Sequence, residues 1–170
     1  MNHLYWHRLA VAVAAAAAAA SLATVALAAA PAHEHAHAQE AGATHKLSLD
    51  HGRKWATDET LRQGMGRIRA LVEPRLADAH AGKLTGAQYG ELATQVEGEV
   101  ANIVANCKLA PEADAMLHVV IADLVQGSDA MAGKDAKLRP AQGLVKVAQA
   151  VNGYGGHFDH PGFKPIRTLH

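Results

Sequence analysis

Histidine is the residue type that offers this chain the most chemistry. Of its 12 histidines, five fall between residues 33 and 51, in a stretch with few apolar residues. They are His33, His35, His37, His45 and His51. Alternate histidines on an extended or loop backbone bring imidazoles together around a borderline cation such as Cu(II), Ni(II) or Zn(II). The pattern predicts a metal site at His33, His35 and His37, with a low-complexity spacer as the alternative interpretation.

The start of the mature chain decides which geometry this segment offers a metal. Residues 1–32 have a short basic lead, a run rich in Ala, Val and Leu, and several Ala-x-Ala sites, as an export signal has. Cleavage after Ala32 leaves His33 first, and its amine, the His35 imidazole and two intervening amides then form a square-planar nitrogen set. Cleavage after Ala28 leaves four residues, 29–32, in front of His33. We expect a cleaved signal and a periplasmic protein; an uncleaved membrane anchor is the alternative, because a spanning helix needs about 20 apolar residues.

Further candidate metal ligands lie in the helical part of the sequence. His118 follows Asp114 by four residues, a spacing at which a helical carboxylate can orient a metal-bound imidazole. The alternative is a histidine bonded to Asp114 without a metal. His157 and His160, with Asp159 between them, form a His-x-x-His pair whose imidazoles are able to share one ion.

Four sulfur-containing residues are candidate ligands for Cu(I), which prefers thioether and thiolate ligands. The alternative role for each of them is core packing. The four residues are Met65, Met116, Met131 and Cys107. Because Cys107 is the one cysteine of the chain, no intramolecular disulfide can form. Cys107 is therefore buried, a ligand, or the link of a homodimer.

Two classes of function find no support in the composition and motifs. No Ser or Cys nucleophile has a spacing to a histidine and a carboxylate that would indicate a catalytic triad, and there is no glycine-rich phosphate loop. We therefore predict that the protein is not an enzyme. Its 16 basic and 16 acidic residues balance, and such a near-neutral chain shows no excess of positive charge for binding a nucleic acid, so we expect no nucleic-acid partner.

Apolar residues at three- and four-residue steps predict four helices that would position these ligands. The first opens near Thr57 and breaks at Pro74, and the second begins with a Thr85–Gln88 capping box. The hinge 106–112 forces the second and third helices to return antiparallel. The fourth begins at Pro140 and is expected to end at Gly155-Gly156.

These elements predict an all-α, up-down-up-down four-helix bundle after a signal peptide and a histidine-rich flexible tail. The expected divisions are 1–32 for the signal peptide, 33–53 for the disordered tail and 54–170 for the bundle with its C-terminal loop. Trp55 is expected to staple onto the first helix. The apolar face of the second helix is expected to comprise Tyr89, Leu92, Val96, Val100, Ile103, Val104 and Cys107.

In outline, the chain resembles exported four-helix bundles of the cytochrome b562 and cytochrome c′ kind. The likeness rests on residues 61–65, similar to the entry of their haem pocket, and on residues 152–157, similar to the end that carries a haem-ligating histidine. It implies Met65 and His157 as axial ligands of a non-covalent haem b. The hinge is also similar to that of uncharacterised proteobacterial periplasmic proteins, a resemblance that implies no activity.

Three functions follow as hypotheses. The first is a periplasmic metal-binding bundle, for copper before other metals, that sequesters or hands over its ion. The second is electron transfer by haem b bound through Met65 and His157. The third is a non-metal interaction or stress-response module that binds a protein partner or dimerises through Cys107.

Overall fold

Five helices follow one another in residues 46–167, the part of the chain that the computed structural model describes. They are α1 (Glu59–Val72), α2 (Leu76–His80), α3 (Gly86–Asn106), α4 (Pro111–Met131) and α5 (Pro140–His157). The only β-pairing in this part consists of two isolated bridges, Asp50 with Arg53 and Trp55 with Phe158. The described chain is therefore all-α, as the apolar periodicity predicts.

The helices begin where side chains or proline satisfy their first turn. The Asp58 carboxylate accepts a hydrogen bond from Leu61 N at 2.7 Å and caps α1. The predicted capping box is present at α3: Thr85 Oγ1 accepts from Gln88 N, and Gln88 Oε1 accepts from Thr85 N. Proline occupies the first position of α4 and of α5, where its missing N–H costs nothing.

Proline ends α1, and glycine follows the ends of α2 and α4, as expected. Pro74 lies in a 3₁₀ turn, Glu73–Arg75, which separates α1 from α2. Gly82 and Gly133 follow α2 and α4 with φ values of 65° and 73°, the left-handed conformation that glycine adopts without strain.

The four long helices pack pairwise around one apolar core. Contacts join α1 to α3, α3 to α4, α4 to α5, and α5 back to α1. The backbones of α4 and α5 approach each other closely where Gly127 and Gly143 face each other: a Cβ added to Gly143 would lie 2.6 Å from the Gly127 carbonyl oxygen. The apolar stripes predicted for the helices therefore meet in a shared interior.

Three details differ from the sequence predictions. Val104 is 56% exposed, because Ile103 beside it takes the inward position against Gly64. Helix α5 runs through Gly155 and Gly156 to His157, since the Phe163 ring packs so closely on Gly155 that a Cβ would lie 2.6 Å from it. Residues 50–53, which fall within the predicted disordered tail, form a tight turn closed by two hydrogen bonds between Asp50 and Arg53.

The segments that flank the helices are built onto the core. Trp55 is partly buried against it, as the predicted staple requires, but pairs through its backbone with His157 and Asp159. Phe158 and Ile166 are buried, so the C-terminal segment packs back onto the helices. Within residues 46–167, none of the helices has the length and hydropathy needed to cross a membrane. The predicted signal peptide lies outside the described residues.

Candidate functional site

The first described residues of the chain lie against α4. His33, His35, His37 and His45 lie outside the described residues, and the described chain begins at Lys46. Ser48, two residues later, directs its hydroxyl at the Met116 sulfur of α4, 3.5 Å away. The carbonyl of Ser48 accepts a hydrogen bond from Trp55 Nε1 at 2.6 Å. Ser48, which follows the predicted metal-binding residues in the sequence, thus lies beside a partly exposed thioether.

His51 occupies the tip of the turn that follows. Its φ is 48° and that of Gly52 is 84°, the two left-handed positions of a tight two-residue turn. Its side chain is 94% exposed, and its Nε2 lies 3.9 Å from the Asp50 carboxylate. The imidazole is therefore open to solvent on a fixed piece of backbone.

His118 lies on the outer surface of α4. Its Nδ1 is 2.9 Å from the Asp114 carbonyl oxygen and 3.5 Å from the Asp114 carboxylate, and its side chain is 62% exposed. The predicted Asp114–His118 contact is present, but the imidazole faces solvent instead of the bundle interior. A Nδ1–H donated to a carbonyl leaves the Nε2 lone pair free, which is the form of histidine that binds metals.

The predicted His157–His160 pair is held in two different ways. Nδ1 of His157 lies 2.8 Å from the Gly153 carbonyl oxygen, so it donates there and its Nε2 remains available. Nδ1 of His160 lies 3.0 Å from the Tyr154 hydroxyl. Burial raises the pKa of Tyr154, so the phenol keeps its proton, and either side chain can be the donor in this contact. A metal ion at Nδ1 of His160 would have to displace the Tyr154 hydroxyl.

Tyr154 and His160 belong to an aromatic cluster that the sequence did not reveal. Tyr154 is fully buried, stacks on Phe158 at a centroid distance of 5.2 Å and meets Phe163 edge-on at 5.4 Å. The His160 ring lies 4.9 Å from the Phe163 ring. The cluster fixes the C-terminal segment against α5, and its one sequence signal is the pair of phenylalanines after the helix.

Acidification is expected to loosen this cluster. Burial first, and then the nearby Arg62 guanidinium, lower the pKa of His160, against the smaller opposing effects of Glu59 and Asp159. A histidine with a lowered pKa in the folded state takes up its proton more readily when unfolded. The free energy of unfolding should therefore fall as the pH drops below about 6.5, with a slope of at most about 1.4 kcal/mol per pH unit from this group.

Urea titrations at pH 7.5, 6.5 and 5.5 measure this dependence. The His160→Gln variant should lose the part of the slope that His160 contributes. The variant His80→Gln, at an exposed position, should retain it. Equal slopes in the two variants would show that His160 is not the group responsible.

The two proposed haem ligands differ in their exposure to solvent. Met65 has no exposed surface and is part of the apolar core, whereas His157 is partly exposed at the end of α5. None of the three grooves recorded in residues 46–167 is lined by either side chain. Haem binding between them would require the core to open, and it stays a prediction.

Cys107 ends α3 and is half-buried beside the hinge. Burial raises the pKa of its thiol, and the carboxylates of Asp58 and Asp114 raise it further. The protonated thiol is a weak nucleophile and a weak ligand at neutral pH. Of the three roles that the sequence allows for Cys107, this environment fits that of a buried packing residue better than that of a ligand or of a link in a homodimer.

No cluster of three or more His, Cys, Asp or Glu side chains that could hold a metal ion occurs in residues 46–167. Comparisons of the chain with protein-family models, curated proteins and solved structures find no match.

Proposed function

We propose that this protein binds a transition metal, with copper as the first candidate, through its histidine-rich N-terminal segment, and that it sequesters the ion or hands it over in the periplasm. The supporting observation is the concentration of five histidines between residues 33 and 51. The His-x-His-x-His run at 33–37 supplies imidazoles at a spacing that a loop can wrap around one ion. No catalytic step is part of this proposal.

The geometry of the described residues supports the proposal at the point of attachment. Met116 is partly exposed beside Ser48, and methionine sulfur is a soft ligand suited to Cu(I). His51, His118 and His157 each have an imidazole at least partly open to solvent. In two of them a backbone carbonyl holds Nδ1–H, so that Nε2 is free to bind an ion.

We further infer that α1, α3, α4 and α5 form an up-down-up-down bundle. Residues 107–110 join α3 to α4, residues 132–139 join α4 to α5, and the longer connection from α1 to α3 contains α2. The closed sequence of pairwise contacts is the one such a bundle makes. In this proposal the bundle is the rigid support and the histidine-rich segment is the binding element.

Deletion of residues 33–45 tests the proposed site. This variant leaves every described residue in place, so we expect unchanged helicity by circular dichroism and loss of most Cu(II) binding by calorimetric titration. The control is His80→Gln, which removes an exposed histidine of α2 and should bind Cu(II) as the parent does. Retained Cu(II) stoichiometry in the deletion variant would move the site to the described residues.

Native mass spectrometry of untagged protein from the periplasm completes the test. The denatured mass gives the mature N-terminus, and the native mass shows which ligand accompanies the chain. Copper bound to a chain that starts at His33 would support the square-planar nitrogen set. A metal-free mass with no uptake on titration would overturn the proposal, and a Soret band in protein expressed with haem would favour the haem hypothesis.

A further inference from the structure

A groove with a volume of about 620 Å³ lies where α2, the start of α3 and the start of α5 meet. Its apolar lining includes Ala79 of α2 and Ala141 and Val145 of α5. Small-molecule sites commonly have volumes of roughly 300–1,000 Å³ and combine apolar walls with a few polar groups. This groove has the size and the composition of such a site.

The polar groups of the groove are cationic or neutral. Arg139, His80 and Gln142 contribute to its lining, and Tyr89 adds a phenol. Burial raises the pKa of Tyr89, so its hydroxyl is a neutral donor at physiological pH. No carboxylate is among the residues that line this groove.

Arg139 differs from most other arginines of the described chain. Arg53, Arg62, Arg67 and Arg69 each have a carboxylate within 4 Å. Among residues 46–167, no carboxylate pairs with Arg139, whose guanidine Nε makes one long contact of 3.4 Å to Gln142 Oε1. Its guanidinium group is thus free to accept an anion at the edge of an apolar surface.

We propose that this groove binds a small amphipathic carboxylate, with its aliphatic chain on Ala79, Ala141 and Val145 and its carboxylate against Arg139. A planar guanidinium can form two parallel hydrogen bonds with a carboxylate, which makes arginine the side chain best matched to this anion. His80 and the Tyr89 hydroxyl supply further donors around the same volume. This binding site is independent of the metal proposal, because none of the candidate metal ligands lines the groove.

Titration of the mature protein with octanoate, followed by calorimetry and by amide chemical shifts, tests this site. We expect saturable binding of one octanoate, with the largest shifts at Tyr89, Ala141 and Val145. The affinity for the uncharged analogue octanamide should be lower by a factor of about ten or more, because octanamide cannot form charge-assisted hydrogen bonds to arginine.

Two variants and a matched control separate the parts of the proposal. Arg139→Gln should weaken octanoate binding about tenfold. Val145→Glu places a carboxylate on a partly exposed position of the groove and should abolish binding while the thermal unfolding curve confirms a folded protein. Arg75→Gln removes an arginine that lines a different groove and should leave octanoate binding unchanged.

Several results would overturn the proposal. Equal binding of octanoate and octanamide, or an Arg139→Gln variant with the affinity of the parent, would show that no carboxylate is recognised. Absence of saturable octanoate binding would show that the groove takes no such ligand. Self-association in sedimentation that Val145→Glu abolishes would assign the groove to a second copy of the chain.

Discussion

Replacing Gly143 by alanine is expected to lower the free energy of unfolding by about 3 kcal/mol, the upper part of the range for overpacked cores. The added Cβ would lie 2.6 Å from the Gly127 carbonyl oxygen, 2.7 Å from Met131 N and 2.8 Å from the Ala130 Cβ. Two of these three atoms belong to backbone, so no side-chain rotation can relieve the contact. Helices α4 and α5 would have to separate.

Gly98→Ala is the matched control for this substitution. Gly98 lies inside α3, and its Cβ would meet no atom within 4 Å. Alanine is the better helix former, so this variant should gain about 0.5–1 kcal/mol. Urea unfolding of the two variants beside the parent gives both values, and a Gly143→Ala variant as stable as Gly98→Ala would contradict the close α4–α5 contact.

The helices and their ends were predictable because they depend on local chemistry. The three- and four-residue spacing of apolar residues, the Thr85 capping box and the prolines at 111 and 140 each act within one or two turns of helix. The extension of α5 through Gly155 and Gly156 was not predictable, since the local preference of glycine is overridden by a ring eight residues later in the sequence. The close packing of Phe163 on Gly155 is a tertiary contact that a helical pattern cannot show.

The candidate sites were predictable only in part. The Asp114–His118 contact follows from helical spacing, but the direction of His118 depends on which side of α4 meets α3 and α5. The His157–His160 pair has metal-like spacing in sequence, whereas the Tyr154 hydroxyl occupies Nδ1 of His160. The Arg139 groove takes its lining from three helices and the loop after α2, so no single stretch of sequence carries its signal.

The two proposed sites make different demands on the bundle. A histidine-rich segment binds a metal by wrapping its own imidazoles around it, and needs from the bundle a point of attachment such as the Ser48–Met116 contact. The Arg139 groove exists only when α2, α3 and α5 are packed together. Unfolding should therefore abolish octanoate binding, while the metal-binding capacity of the segment should largely persist.

Asp58→Ala is expected to cost about 2–3 kcal/mol, because one carboxylate connects two parts of the chain. Its Oδ1 accepts from Leu61 N at 2.7 Å and caps α1, a contact that contributes about 1 kcal/mol. Its Oδ2 accepts from Lys108 N in the hinge at 2.6 Å, and a hydrogen bond to a charged group contributes roughly 1.5–3 kcal/mol, less where solvent reaches it.

Thr85→Ala serves as the control, because it removes a helix cap whose hydrogen bonds stay within residues 85–88. This control should lose about 1 kcal/mol, so the difference between the two variants isolates the bond from Asp58 to the hinge. Asp58→Asn keeps a single side-chain acceptor, so its free energy of unfolding should lie between those of Asp58→Ala and the parent.

Urea unfolding measures the free energy of unfolding of all three variants. Equal losses for Asp58→Ala and Thr85→Ala would mean that the hinge gains no stability from Asp58. A larger loss for Asp58→Ala would show that the start of α1 and the α3–α4 hinge stabilise each other, although 50 residues separate Asp58 from Lys108.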